Sequence, residues 1–122
     1  TYYVNDFTGA WEGCSSLTSF PVINIAGTRT LERTWKGCSG LTEFTGLQTN
    51  QIENLESAWE DCSGLVKFPT INTEDCENFN NTFKGCLNLE CMISLNTSSN
   101  TSTLGMFDNT PSLISPNSSE VL

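Results

Sequence analysis

The feature that most limits how this chain can fold is an internal repeat that holds its phase without a single insertion. The stretches AWEGCSSLTSF, TWKGCSGLTEF, AWEDCSGLVKF, TFKGCLNLECM and MFDNTPSLISP begin at residues 10, 34, 58, 82 and 106, a constant spacing of 24. One phase is aromatic throughout: Trp11, Trp35, Trp59, Phe83 and Phe107. Three residues later come Cys14, Cys38, Cys62 and Cys86, and three later again Leu17, Leu41, Leu65, Leu89 and Leu113. Phe20, Phe44, Phe68 and Met92 follow, then Ile23, Leu47, Ile71 and Leu95. The other half of the unit is weaker but phased, through Leu31, Leu55 and Phe79 and the small residues Thr34, Ala58 and Thr82.

Such self-similarity marks a stacked repeat, in which each copy is too small to bury its own apolar face and covers it with its neighbours. A period of 24 residues lies in the leucine-rich range and is too short for paired-helix repeats. Apolar residues at intervals of three, interrupted by Gly37, Gly40, Gly64 and Gly85, predict a short helical or 3₁₀ turn around Trp-x-x-Cys and a short strand around Leu-x-x-Phe. The expected fold is therefore a leucine-rich-repeat solenoid of five 24-residue units, spanning 1–122 as one domain, with units beginning near 11, 35, 59, 83 and 107 and residues 1–10 a partial unit. Asn24, Gln48, Asn72 and Asn96 share a further phase, followed by Thr49, Thr73 and Thr97, and predict a polar row that bonds the backbone where each strand leaves the sheet.

The pattern Ala/Thr-aromatic-x-x-Cys-x-x-Leu-x-x-Phe resembles the BspA-like leucine-rich repeat family, whose units run Ala-Phe-x-x-Cys-x-x-Leu-x-x-Ile. Trp replaces Phe in the first three copies, and the last copy puts Thr110 in the Cys phase and Pro116 in the Phe phase. What the resemblance implies is a surface-exposed or secreted protein, often an adhesin, with no catalytic residues.

Composition narrows the partners. Fourteen acidic against five basic residues give a net charge of -9, which repels nucleic acid and anionic membrane. No apolar run reaches the ~18 residues of a membrane span. Sequons at Asn80, Asn96, Asn100 and Asn117 point to N-linked glycans and a secreted chain. Six cysteines without any His fit an oxidising compartment better than a zinc site, so no metal and no cofactor are expected.

In a stack the Cys phase is a small buried hydrophobe. Adjacent units also bring such residues within disulfide reach, so Cys14 with Cys38 and Cys62 with Cys86 are candidate bridges. Cys76 falls in the inward phase of Ile52, whereas Cys91 aligns with Glu43 and Lys67 and should face solvent, free to pair elsewhere. The absence of His removes the usual general base. Glu60 with Asp61, and Glu74, Asp75 and Glu77, read as a solvated charged edge rather than catalytic or calcium-binding groups. Between the buried Leu and Phe of each unit, Thr18 and Ser19, Thr42 and Glu43, Val66 and Lys67, and Glu90 and Cys91 are predicted to face outward, with no aromatic or single-charge row among them.

Val4, Phe7 and Ala10 match Ile52, Leu55 and Ala58 in phase, so the chain begins inside a unit and ends near the phase at which it began. The expected function is that of an extracellular structural repeat protein, not an enzyme, which self-associates head to tail into a filament or surface layer. The alternative is a surface adhesin domain that binds a host protein or glycan through its concave face.

Overall fold

The computed structural model describes residues 6–21, 25, 27–47, 51–69, 71–92 and 101–113. Four two-residue strands, β1 (Ser19–Phe20), β2 (Glu43–Phe44), β3 (Lys67–Phe68) and β4 (Cys91–Met92), form a small parallel sheet in the order β1-β2-β3-β4. Register follows the sequence period: Ser19 pairs with Glu43, Glu43 with Lys67 and Lys67 with Cys91. A second line of parallel bridges joins Asp6 to Thr30, Thr30 to Asn54, Asn54 to Asn78 and Asn78 to Ser102, so the weaker half of each unit keeps the same register. The paired residues along both lines are 24 positions apart.

The segment around Trp-x-x-Cys corrects the expected helical or 3₁₀ turn, because no helix is present among the described residues. Its N–H groups alternate between two destinations. Those of Leu31, Arg33, Trp35 and Gly37 reach the carbonyls of Asn54, Glu56, Ala58 and Glu60 at 2.8 to 3.0 Å, whereas those of Thr34, Lys36 and Cys38 turn back onto Leu31, Arg33 and Trp35. A helix would need every donor to bond locally. Two residues per unit also take left-handed backbone: Gly9, Arg33, Ser57, Asn81 and Gly105 in one phase, and Gly13, Gly37, Asp61, Gly85 and Asn109 four residues later. Each reversal of hand interrupts the run of right-handed residues on which a helix depends.

An aromatic cluster fills the core. Trp11, Trp35, Trp59, Phe83 and Phe107 stack nearly parallel, with centroids 5.1 to 5.9 Å apart. Phe20, Phe44 and Phe68 form a second parallel column that meets the first edge to face at 4.6 to 5.2 Å. Both geometries suit ring quadrupoles, and they recur because the strands hold the columns in register. Leu41, Leu65 and Leu89 are fully buried, and Cys76 lies inside the core like Ile52 in the preceding copy.

Candidate functional site

Because successive strand residues point to opposite faces, burying Phe20, Phe44 and Phe68 turns Ser19, Glu43, Lys67 and Cys91 outward. Of the outward positions foreseen for β2 to β4, Thr42, Glu43, Val66, Lys67 and Cys91 line a depression, and Glu90 does not. It is a groove of about 540 Å³, lined by Thr42, Glu43, Phe44, Thr45, Val66, Lys67, Phe68, Pro69 and Cys91. Thr45 donates its hydroxyl to the Phe20 carbonyl at 2.7 Å, which fixes one wall to the preceding unit. Glu43 and Lys67 stand one strand apart and supply both signs of charge over a mostly apolar lining. This arrangement can hold an extended apolar segment and orient its polar groups.

The cysteines separate into two groups. Cys14 and Cys91 are exposed, whereas Cys38, Cys62, Cys76 and Cys86 are buried, and all six are free thiols. Cys38, Cys62 and Cys86 each donate Sγ–H to the carbonyl of the preceding unit's Trp11, Trp35 and Trp59, every time at 3.1 Å. None of the candidate bridges is formed: three of the four thiols in that phase instead donate to carbonyls that also accept the N–H of the Cys in their own unit. Burial pushes the Cys38 and Cys76 thiols up to about 11 and Cys86 to about 12, and it raises Cys62 further. These thiols are held protonated and unreactive.

Of the sequons, Asn96, Asn100 and Asn117 lie outside the described residues. Asn80 is half-buried, and its Oδ1 accepts from Ser102 Oγ at 2.6 Å and from the Leu104 N–H at 2.9 Å. The Thr82 hydroxyl of that sequon is buried and donates to the Leu55 and Phe79 carbonyls. In the expected polar row, Asn24, Gln48, Thr49, Asn96 and Thr97 are likewise outside the described residues, while Asn72 accepts from the Glu74 N–H at 3.1 Å and Thr73 is buried.

A different polar row was missed. Asp6, Thr30, Asn54 and Asn78 each cap the N–H two residues on, that of Thr8, Glu32, Glu56 and Asn80. The Asn54 and Asn78 amides also donate to Glu32 and Glu56 of the preceding units, at 3.3 and 2.9 Å. The available signal was a phase filled only by Asp, Thr, Asn, Asn and Ser, the residue types that bond their own backbone in turns.

Among the carboxylates, Asp61, Glu74, Asp75 and Glu77 are exposed, whereas Glu60 is largely covered and lies 3.7 Å from Lys36. No group of three His, Cys, Asp or Glu side chains converges as a metal site among the described residues. Nor is any described helix long and apolar enough to cross a membrane.

Three kinds of known protein bear on the chain's relationships: protein families, curated proteins and solved structures. Nothing matches.

Proposed function

We propose that the chain is a leucine-rich-repeat solenoid, similar to the BspA-like surface proteins, which works outside the cell as a binding module. The groove over β2 to β4 carries this reading: it is concave, largely apolar, and offers one carboxylate and one ammonium at fixed spacing. An extended protein segment is the ligand such a lining suits, because its only rings, Phe44 and Phe68, are buried and offer a sugar no face to stack on. Sequons and the negative surface support an extracellular or cell-surface setting, with N-linked glycans at Asn96, Asn100 or Asn117 and no nucleic-acid or membrane partner. The test is binding of the chain to an array of matrix and cell-surface proteins, comparing Val66→Arg in the groove with Glu74→Gln away from it. Binding lost only in the groove variant, with an unchanged circular dichroism spectrum, supports the assignment; equal binding by both variants removes it.

A second reading, head-to-tail self-association into a filament, is favoured by one observation. Every unit presents the next with the same stacked rings and the same backbone donors, so the two faces of a unit are complementary to each other. Negative-stain electron microscopy of the chain alone tests it: long fibres establish the filament, and discrete particles at every concentration exclude it.

A further inference from the structure

Of the four asparagines that begin sequons, Asn80 is the one whose surroundings are described. It follows the second line of bridges, two residues after Asn78, and lines no part of the groove. Up to and including this copy, the N–H in its phase is capped from two residues upstream: that of Thr8 by Asp6, Glu32 by Thr30, Glu56 by Asn54 and Asn80 itself by Asn78. The next copy departs from the rule. Ser102 turns its hydroxyl to Asn80 Oδ1 at 2.6 Å, and the Leu104 N–H is capped by that same oxygen at 2.9 Å, from 24 positions away.

These two bonds fix the orientation of the Asn80 amide. A backbone N–H can only donate, so the atom facing Leu104 is the oxygen and the nitrogen occupies the other branch. Nδ2 donates no hydrogen bond among the described residues. It is not sealed in either. Among the described residues, the buried side-chain nitrogens and oxygens without a partner are the Nε1 atoms of Trp35 and Trp59 alone, so an unbonded Nδ2 opens to solvent. Asn54 and Asn78 differ: each donates Nδ2 to a carboxylate of the preceding unit, Glu32 or Glu56. Neither begins a sequon, since they continue as Asn-Leu-Glu and Asn-Phe-Asn. The sequon thus falls on the asparagine whose amide nitrogen is unused.

From this we infer that Asn80 carries an N-linked glycan, joined through Nδ2 to C1 of an N-acetylglucosamine and held in place by the bonds that Oδ1 makes to Ser102 and Leu104. The modification requires the extracellular route proposed above. The donor is a lipid-diphosphate-linked oligosaccharide: its C1–O bond to the diphosphate breaks, the Nδ2–C1 bond forms, and Nδ2 gives up one proton as the lipid diphosphate leaves. The hydrogen replaced has no partner, and Oδ1 keeps both lone pairs, so the bonds from Ser102 and Leu104 survive. The glycan therefore costs the fold no hydrogen bond. Its timing follows from Thr82, whose hydroxyl completes the sequon. That hydroxyl is buried and donates to the Leu55 and Phe79 carbonyls at 2.9 and 2.7 Å, so transfer precedes folding of this unit.

Secretion of the full 122-residue chain from a eukaryotic host, behind a cleavable signal, tests this. The folded fraction, isolated by size exclusion, is treated with peptide N-glycosidase in heavy-oxygen water and mapped by mass spectrometry, which marks each formerly glycosylated Asn as labelled Asp. Asn80 should be labelled in most molecules. In the variant Asn96→Gln/Asn100→Gln/Asn117→Gln, which keeps Asn80 as its one sequon, the glycosylated chain should unfold in urea at the same midpoint as the same variant made without glycans in bacteria. An unlabelled Asn80 beside occupied Asn96, Asn100 or Asn117 overturns the inference and leaves the extracellular reading standing. A glycan on Asn80 found only in aggregated material, or one that lowers the midpoint, overturns it too, because Nδ2 would then have a role in the fold. Four bare sequons in the secreted chain overturn it and also withdraw the support that the sequons give to the extracellular reading.

Discussion

Replacing Trp59 by Phe should leave stability nearly unchanged, although Trp59 is fully buried at the centre of the aromatic cluster. Its ring lies 5.1 Å from Trp35 and 5.6 Å from Phe83, both nearly parallel, with Phe44 and Phe68 edge-on at 5.2 and 4.6 Å. The indole Nε1 is buried and finds no hydrogen-bond partner among the described residues. Leaving that donor unsatisfied costs about 1 to 3 kcal/mol. Trimming the indole to a phenyl ring keeps the stack and loses the contacts of about three heavy atoms, worth ~1 to 2 kcal/mol including the small cavity left behind. The two effects oppose each other, so Trp59→Phe should lie within ~1 kcal/mol of the unsubstituted chain, whereas Trp59→Ala should lose ~3 to 5 kcal/mol. Phe83 and Phe107 already occupy this phase, which shows that the stack accepts the smaller ring. Urea unfolding followed by circular dichroism measures all of this, and Phe83→Trp supplies the reciprocal: a new buried donor and a tighter fit, with a loss of ~1 to 3 kcal/mol. A loss above ~3 kcal/mol for Trp59→Phe would refute the reasoning, since the indole N–H would then have to be satisfied or its shape indispensable.

Other outcomes follow from the backbone and the thiols. Ser57 has a left-handed backbone with φ of 56° in a phase shared with Gly9 and Gly105, so Ser57→Gly should gain up to ~1 kcal/mol and Ser57→Val should lose at least ~1 to 2 kcal/mol, read as opposite shifts in urea midpoint. Without reductant, a thiol reagent should titrate Cys14 and Cys91 rapidly and Cys38, Cys62, Cys76 and Cys86 only after unfolding; fewer than six thiols in the unfolded chain would mean that a bridge had formed. Stability should also fall in alkali. Burial raises the Cys86 thiol to about 12 in the folded chain, so the folded state holds a proton that the unfolded state releases near pH 9. That contribution is intact below pH 9 and is lost as pH rises from there towards the folded value, so Cys86→Ala should show a flatter decline in melting temperature between pH 8 and 11.

The period of 24 residues carried much of the fold. It foretold the pairing of Glu43 with Lys67 and of Lys67 with Cys91, the burial of Trp35, Trp59, Cys38, Cys62, Leu41, Leu65, Phe44 and Phe68, the inward Cys76 and the outward Cys91, but not that Cys14 in the first copy is exposed. Equal phase means equal environment in a stack, so side-chain placement can be read copy by copy. The candidate site was legible only as a set of outward positions. Their closure into a groove depends on how Thr45, Val66 and Pro69 flank the buried Phe44 and Phe68.

Tertiary structure alone decided the backbone between the aromatic and the Cys. Spacing by three resembles a 3₁₀ turn, yet alternate N–H groups there bond the next unit, and Arg33 and Ser57 adopt left-handed conformations that their residue types do not announce. Thiol donation from Cys62 to the Trp35 carbonyl and the amide bridge from Asn78 to Glu56 are equally non-local, joining residues 27 and 22 positions apart. Side-chain burial is a property of each phase and therefore visible in the sequence. The hand of the turn and the partner of each donor are set by residues some two dozen positions away, which become neighbours only in the folded chain.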